Sequence, residues 1–196
     1  MKKTFAMLLL AAASLAITAS AAFGQNSMSG HASMSGGNPM VGGAAMYRTK
    51  DIVDNAVNSA DHTTLVAAVK AADLVNTLKS KGPFTVFAPT NDAFDKLPAG
   101  TVGTLVMPEN KAMLTRILTY HVVAGRLDSK AIAKLIKKGR GQAQLKTVSG
   151  GTLTAYMSGS DLMLRDEKGG TSRVTIANVY QSNGVIHVVD TVLMPN

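Results

Sequence analysis

Apolar residues recur three and four positions apart from about residue 52 to residue 138, which predicts a series of amphipathic helices. Asp61, Asp73, Asn91 and Asp128 stand where a side-chain oxygen can cap the start of a helix, and Pro108 can open another. The apolar groups that form one face of each predicted helix are Ile52, Val53, Ala56 and Val57; Leu65, Val66 and Val69; Leu74, Val75 and Leu78; Met113, Leu114, Ile117 and Leu118; and Ala131, Ile132, Leu135 and Ile136.

Short stretches of alternating apolar and polar residues dominate the rest of the chain and predict strands. One strand is expected early, at 84–88, where Pro89 closes it. Because helices precede strands and do not alternate with them, the pattern predicts an α+β fold with an antiparallel sheet. The later predicted strands are 144–148, 152–157, 161–165, 173–178 and 185–193, separated by turn residues such as Gly150-Gly151 and Gly169-Gly170.

The N-terminal residues have the organisation of an export signal. Lys2 and Lys3 precede an apolar run, and small residues follow just before Gln25. This order of charged, apolar and small residues predicts a secretory signal peptide over residues 1–24, cleaved after Gly24. We therefore expect a periplasmic or extracellular protein that does not span a membrane.

Residues 25–48 are rich in Gly, Ser, Ala and Met and lack apolar periodicity. This composition predicts a flexible linker. The remaining residues, 49–196, have a length that suits one folded domain with a single hydrophobic interior.

Composition narrows the classes of partner. The chain has 20 Lys and Arg, 12 Asp and Glu, and no cysteine, so no disulfide supports the fold. Loss of Lys2 and Lys3 with the signal leaves 18 basic and 12 acidic side chains and a net charge of +6. A basic exported protein is attracted to anionic lipids, polysaccharides or cell-wall polymers. Nucleic acid is not an expected partner, because there is no Trp and no interleaving of basic and aromatic residues.

Three segments, in order, resemble the fasciclin-type (FAS1) domain family over residues 49–196. The first and third are similar to the two signature blocks of the family, and the second is similar to its central tyrosine–histidine block. The segments are Phe-Thr-Val-Phe-Ala-Pro-Thr-Asn-Asp-Ala-Phe at 84–94, Leu-Thr-Tyr-His-Val-Val at 118–123, and Asn-Gly-Val-Ile-His-Val-Val-Asp-Thr-Val-Leu-Met-Pro at 183–195.

The resemblance implies a FAS1-type wedge-shaped β-sandwich with flanking helices, and a single-domain secreted protein of bacterial type. Members of this family serve as secreted or surface-attached adhesion modules and have no general enzymatic activity. The family's adhesion positions correspond to Tyr120, His121, Asn178 and Val179. In animal relatives an Asp-Ile pair associated with integrin binding stands where this chain has Asn178-Val179. Because the acidic residue is missing, the sequence argues against integrin-type adhesion. Tyr120 also fits a structural role, with a packed ring and a bonded hydroxyl.

Three residues suggest catalysis at first sight. His121, His187 and Asp190 contain the imidazole and carboxylate of a hydrolase triad. No nucleophile motif accompanies them, and a buried histidine bonded to the backbone is the ordinary alternative. The four histidines also lack the spacing of a zinc site. We therefore expect a non-enzymatic protein without a cofactor, and hydrolysis at His121 and Asp190 remains a weak alternative.

A run of basic residues lies on the helix that begins after Asp128. Its lysines share the face opposite the apolar one. This face is either a solvated helix surface or a contact for an anionic surface or polymer. The run consists of Lys130, Lys134, Lys137, Lys138 and Arg140.

Methionines recur every six residues in the predicted linker. Thioether sulfur suits Cu(I), although a spacing of six is wide for one ion. The candidate copper ligands are Met28, His31, Met34, Met40 and Met46.

Together these features predict an exported binding module that acts in cell adhesion or in contact with the envelope or extracellular matrix. Its expected partner is a cell-surface, envelope or matrix protein or an anionic polymer, and it is expected to be a monomer or weak homo-oligomer. The alternative is a carrier that holds a small molecule in an apolar pocket, or copper on the methionine-rich segment.

Overall fold

The helices come first along the chain and most strands follow them, as the sequence predicts. The computed structural model describes residues 37–196, so the predicted signal peptide and most of the predicted linker lie outside the described residues. Short 3₁₀ turns at Ala60–His62 and Pro108–Asn110 precede two of the helices. The helices are α1 (Ile52–Ala56), α2 (Thr63–Ala71), α3 (Val75–Lys79), α4 (Asn91–Asp95), α5 (Thr101–Leu105), α6 (Lys111–Tyr120) and α7 (Ser129–Lys138).

Seven of the nine strands in the described residues form one sheet with the order β4-β3-β9-β8-β7-β6-β5. The first two strands form a separate small hairpin. The strands are β1 (Met40–Val41), β2 (Ala44–Ala45), β3 (Phe84–Pro89), β4 (Val122–Ala124), β5 (Gln142–Lys146), β6 (Thr152–Ser158), β7 (Asp161–Arg165), β8 (Thr171–Gln181) and β9 (Gly184–Val189).

The long strand β8 lets the sheet curve back on itself. Its first three residues pair with β7, and 174–181 pair with β9 through two register shifts, which are the bulges that bend a strand. At the far side, Val123 forms an isolated antiparallel bridge with Thr147, so the ends of the sheet meet. This confirms the α+β fold, whose sheet curves back on itself.

One pairing corrects the prediction of an entirely antiparallel sheet. Strand β3 pairs with β9 in parallel, with Phe84 opposite Gly184 and Pro89 opposite Val189. The two strands are a hundred residues apart, and parallel strands need a long crossover connection. Local turn residues therefore carry no information about this pairing.

Strands β3 and β9 separate two apolar clusters. The helical core packs α1, α2, α4 and α6 against one face of the two strands and includes Val86, Ala88, Ile186 and Val188. The sheet core fills the inside of the curved sheet and includes Phe87 and Val189. Because both faces are covered, these strands read as nearly continuous apolar runs. They also form the first halves of the two signature blocks.

Helix starts follow the predicted caps only in part. The Oδ1 atom of Asp128 accepts from the N–H of Ala131 at 2.7 Å and caps α7 as predicted. Helix α4 is capped by Thr90 and not by Asn91. Asn91 instead reaches across to α2, where its Oδ1 accepts from the N–H of Thr64 at 3.0 Å. The sequence shows an Asn near a helix start but not which helix it serves.

Two other predicted caps are wrong. Asp61 lies in the 3₁₀ turn before α2, and α3 begins after Leu74, because Asp73 adopts a left-handed φ of 59°. Helix α5 has no counterpart among the predicted helices.

The ordered structure begins earlier than the predicted boundary at residue 49. Val41 and Met46 are buried in the helical core, with Met46 only 2% exposed, and the N–H of Met46 donates to the carbonyl of Pro39 at 2.9 Å. The prediction of a flexible linker is therefore wrong for residues 40–46. The cause is the hairpin β1–β2, whose two-residue strands are too short to show periodicity.

Candidate functional site

Tyr120 and His121, the predicted adhesion pair, lie in the interior. Tyr120 is 0% exposed, and its hydroxyl donates to the carbonyl of Thr152 at 2.8 Å and accepts from the N–H of Glu167 at 3.1 Å. Burial raises the pKa of Tyr120 to about 12, so the hydroxyl keeps its proton at neutral pH. The tyrosine joins the end of α6 to the start of β6 and to the turn after β7, so its contacts match the structural role.

His121 is also buried and links two parts of the chain. Its Nδ1 lies 2.9 Å from the carbonyl oxygen of Ile117, and its Nε2 accepts from the N–H of Leu193 at 3.0 Å. Burial lowers the pKa of His121. A neutral imidazole with the proton on Nδ1 satisfies both backbone groups, which ties α6 to the segment after β9.

The pair Asn178-Val179 is also structural. Val179 is 1% exposed. Asn178 lies in the bulged part of β8 with a φ of 64°, in the left-handed region that asparagine tolerates. Its Oδ1 accepts from the N–H of Ser129 at 2.7 Å, and its Nδ2 donates to the hydroxyl of Ser129 at 2.7 Å. Asn178 therefore fixes the start of α7.

The candidate hydrolase residues do not come together as a relay. His187 is buried, with Nε2 at 2.8 Å from the carbonyl of Leu127 and Nδ1 accepting from the N–H of Asn178 at 3.4 Å. Asp190 accepts from the N–H of Arg173 at 2.9 Å and from the hydroxyl of Ser172 at 3.2 Å. In His121 and in His187, both ring nitrogens bond to backbone groups. The geometry therefore does not support hydrolysis at these residues.

The candidate copper ligands lie in different parts of the chain and differ in exposure. Met28, His31 and Met34 lie outside the described residues. Met40 is exposed on β1, whereas Met46 is buried in the helical core. The Met46 side chain therefore packs in the helical core, whereas that of Met40 faces solvent, and the copper set stays a prediction. Residues 37–196 contain no group of three His, Asp or Glu side chains arranged for a metal ion.

Helix α7 keeps its charged face free. Ile132 and Ile136 pack into the sheet core, while the basic residues of the helix and its end are exposed. Among the described residues, none of these basic side chains forms an ion pair with a carboxylate, whereas Lys79, Lys96 and Lys111 each do. The exposed basic residues are Lys130, Lys134, Lys137, Lys138 and Arg140, which we call the α7 basic face.

Several contacts hold the α7 basic face in place from below. The Asp128 carboxylate caps the helix and accepts from the hydroxyl of Tyr180 at 3.2 Å, and the cap bond with Ala131 lowers the pKa of Asp128. Together with the Asn178 contact, these bonds fix the helix start. The basic residues thus project from a rigid element, a role for Asn178 and Tyr180 that spacing along the chain does not reveal.

The described residues include no helix that is both long and apolar enough to cross a membrane. The fold and the site define a helix-covered, curved-sheet module whose motif residues are internal and whose candidate contact surface is a basic helix. A sequence model of the Fasciclin domain matches residues 60–195. The chain therefore belongs to the fasciclin domain family, as the three segments predict.

Similar proteins include relatives from Synechocystis and from Mycobacterium. Protein sll1483 of Synechocystis is 45% identical over 154 residues, covering 78% of this chain and 77% of the relative. The immunogenic protein MPB70 of Mycobacterium bovis is 38% identical over 71% of this chain and 66% of the relative. The cell surface glycolipoprotein MPB83 of the same species is 35% identical, covering 71% and 58%.

A solved structure shares the fold. The FAS1 domain pair of the insect cell adhesion molecule Fasciclin I has a TM-score of 0.66 and 18% identity, over 74% of this chain and 51% of that one. This chain thus spans about half of that domain pair, and the likeness concerns the fold.

Proposed function

We propose that this protein is an exported, non-enzymatic binding module that holds an anionic polymer of the cell envelope or extracellular matrix through the α7 basic face. The observation that carries the proposal is the concentration of five exposed cations on one rigid helix and its end, without carboxylate partners among the described residues. A lysine already paired with a carboxylate has little attraction left for a polyanion, whereas these lysines keep theirs.

Two further facts support a surface role. A relative is named a cell surface glycolipoprotein, and the solved neighbour comes from a cell adhesion molecule. The signal peptide predicted at residues 1–24 would bring this chain to the same side of the membrane as such polymers. A repeating polyanion suits a helix whose lysines recur at three- and four-residue intervals, because each turn then presents a charge to the same side.

The experiment is a pull-down of cell-envelope and matrix fractions by the protein, beside a variant in which Lys130, Lys134, Lys137 and Lys138 are all changed to Gln. A matched control makes the same change of charge at four exposed basic residues elsewhere, namely Lys50, Lys81, Arg116 and Lys168, each changed to Gln.

We expect capture by the parent and by the control variant, and loss of capture by the α7 variant or in high salt. Equal loss in both variants would show that net charge alone drives capture. Equal retention in both would overturn the assignment to α7 and direct attention to other surfaces.

A further inference from the structure

An apolar cavity of about 100 Å³ lies on the other side of the sheet from α7. It is bounded by α1, α2, the end of α6 and the residues around α3, with β3 as its floor. The helical core is therefore not completely filled. Protein interiors normally leave few voids larger than a water molecule, so an apolar space of this size requires an explanation.

The cavity is open to solvent at a rim of half-buried apolar side chains. Val53, Val66, Leu74 and Val75 line this opening and are each incompletely buried, and Val148 is 48% exposed. The only imidazole in the lining, that of His121, has both nitrogens bonded to backbone groups. The lining therefore offers almost no hydrogen-bonding group to a ligand, and it excludes a sugar or a peptide as occupant.

One cation stands among the lining residues. Lys70, in the last turn of α2, is exposed and has no carboxylate partner among residues 37–196. The nearby Asp73 pairs with Lys111 instead. The surface of the cavity is almost wholly apolar, so Lys70 lines it with its methylenes while its ammonium group lies at the exposed rim. An apolar space with one free ammonium group at its rim complements a molecule that has an aliphatic chain and one negative charge.

We propose that this cavity binds the aliphatic chain of a medium-chain fatty acid, with the carboxylate at the Lys70 ammonium group. The site is separate from the α7 basic face and goes beyond the polymer-binding function. Its size limits the chain length, because an engineered cavity of roughly 150 Å³ holds benzene. A space of about 100 Å³ therefore encloses fewer carbons than the six of benzene, about four, and the remaining carbons of a medium-chain acid lie at its open side.

The test is calorimetric titration of the protein with butanoate, hexanoate, octanoate and decanoate, below their micelle concentrations. We expect each added methylene to tighten binding by about fourfold until the cavity is filled, because a buried CH₂ contributes that factor. Beyond that length the affinity reaches a plateau. Binding that is absent up to decanoate, or that rises without a plateau, overturns the proposal.

Two variants and a control locate the site. Val66→Phe, at the half-buried rim, blocks the opening and reduces octanoate binding by at least tenfold. Lys70→Gln weakens octanoate by about three- to tenfold and leaves octanol, which has no charge, unchanged. Lys134→Gln on α7 matches the change of charge and leaves both ligands unchanged. If Lys70→Gln and Lys134→Gln weaken octanoate equally, the charge recognition assigned to Lys70 is wrong.

A second measurement guards against a misfolded Val66→Phe variant. Octanoate should shift the NMR methyl resonances of Val53, Val66 and Val75 in the parent and not those of Ile132 and Ile136 in the sheet core. Shifts confined to the sheet core would overturn the proposal regardless of how any variant folds.

Discussion

The tyrosine–histidine block and the α7 basic face are the two regions that the sequence marks most strongly, and they differ in almost every physical respect. Tyr120 and His121 are buried, and each polar atom of their side chains has a backbone partner. The lysines of α7 are exposed and have no ionic partner among the described residues. A signature motif can thus record what holds a fold together, whereas the proposed binding surface consists of exposed side chains that make no ion pair among the described residues.

This contrast predicts that lowering the pH destabilises the fold through its buried histidines and not through the exposed lysines of α7. Burial lowers the pKa of His62, His121 and His187 in the folded protein, while the unfolded chain titrates near 6.5. The unfolded state therefore binds more protons below pH 6.5, and stability is complete above that pH and lost as the pH falls.

Each of these histidines can lower the free energy of unfolding by up to about 1.4 kcal/mol per pH unit. The three together can lower it by about 4 kcal/mol per pH unit. Urea unfolding at several pH values between 7 and 5 measures this slope, and His62→Gln should reduce it by about a third. A flat profile between pH 7 and 5 would contradict the buried neutral state.

Removal of the Tyr120 ring should have the next largest effect on stability. Tyr120→Ala leaves a cavity in the sheet core and two unpaired backbone groups at Thr152 and Glu167, which costs about 3 kcal/mol or more. Lys134→Ala on α7 is the matched surface change and should stay within about 0.5 kcal/mol. Chemical unfolding of the two variants compares the two regions directly. Similar losses of stability would contradict the distinction between a buried motif and an exposed helix face.

Asn178 holds the start of α7 from strand β8, so its replacement should have an intermediate effect. Asn178→Ala loses both bonds to Ser129 and places alanine at a φ of 64°, which costs about 2 kcal/mol. Asn178→Asp keeps an acceptor at the start of α7 and tolerates the same φ, so it should cost less than about 1 kcal/mol. Thermal unfolding distinguishes the two, and an equal loss would show that the Ser129 contact is not what matters.

The smallest effect on stability is expected where the effect on binding is largest. Changing Lys130, Lys134, Lys137 and Lys138 to Gln removes no contact with a carboxylate of the described residues, so the free energy of unfolding should change by less than about 1 kcal/mol. Urea unfolding checks this value. A large destabilisation would mean that the helix face is structural after all.

Local patterns predicted the parts of the fold that local physics determines. The Asp128 cap, the apolar stripe with Ile132 and Ile136, and the strand Asp161–Arg165 are all found where the sequence places them. In each case the deciding contacts lie within one helix or one hairpin.

The errors come from contacts between distant segments. The parallel pairing of β3 with β9, the reach of Asn91 to α2, and the packing of Met46 in the helical core each join residues that the sequence separates widely or shows without periodicity. The same limit applies to the site. The basic run can be recognised in the sequence. The burial of Tyr120 and the bonds of Asn178 to the start of α7 cannot, because they depend on how the helices pack against the sheet.

The affinity for a soluble polyuronate, measured by calorimetry at several salt concentrations, tests the central claim most directly. Binding by free cations releases counterions, so the logarithm of the affinity should fall steeply with the logarithm of salt for the parent. We predict that the α7 variant loses most of this affinity and of its salt dependence, whereas the Lys50, Lys81, Arg116 and Lys168 control keeps both. Equal affinities and equal salt slopes for the parent and the α7 variant would contradict the account.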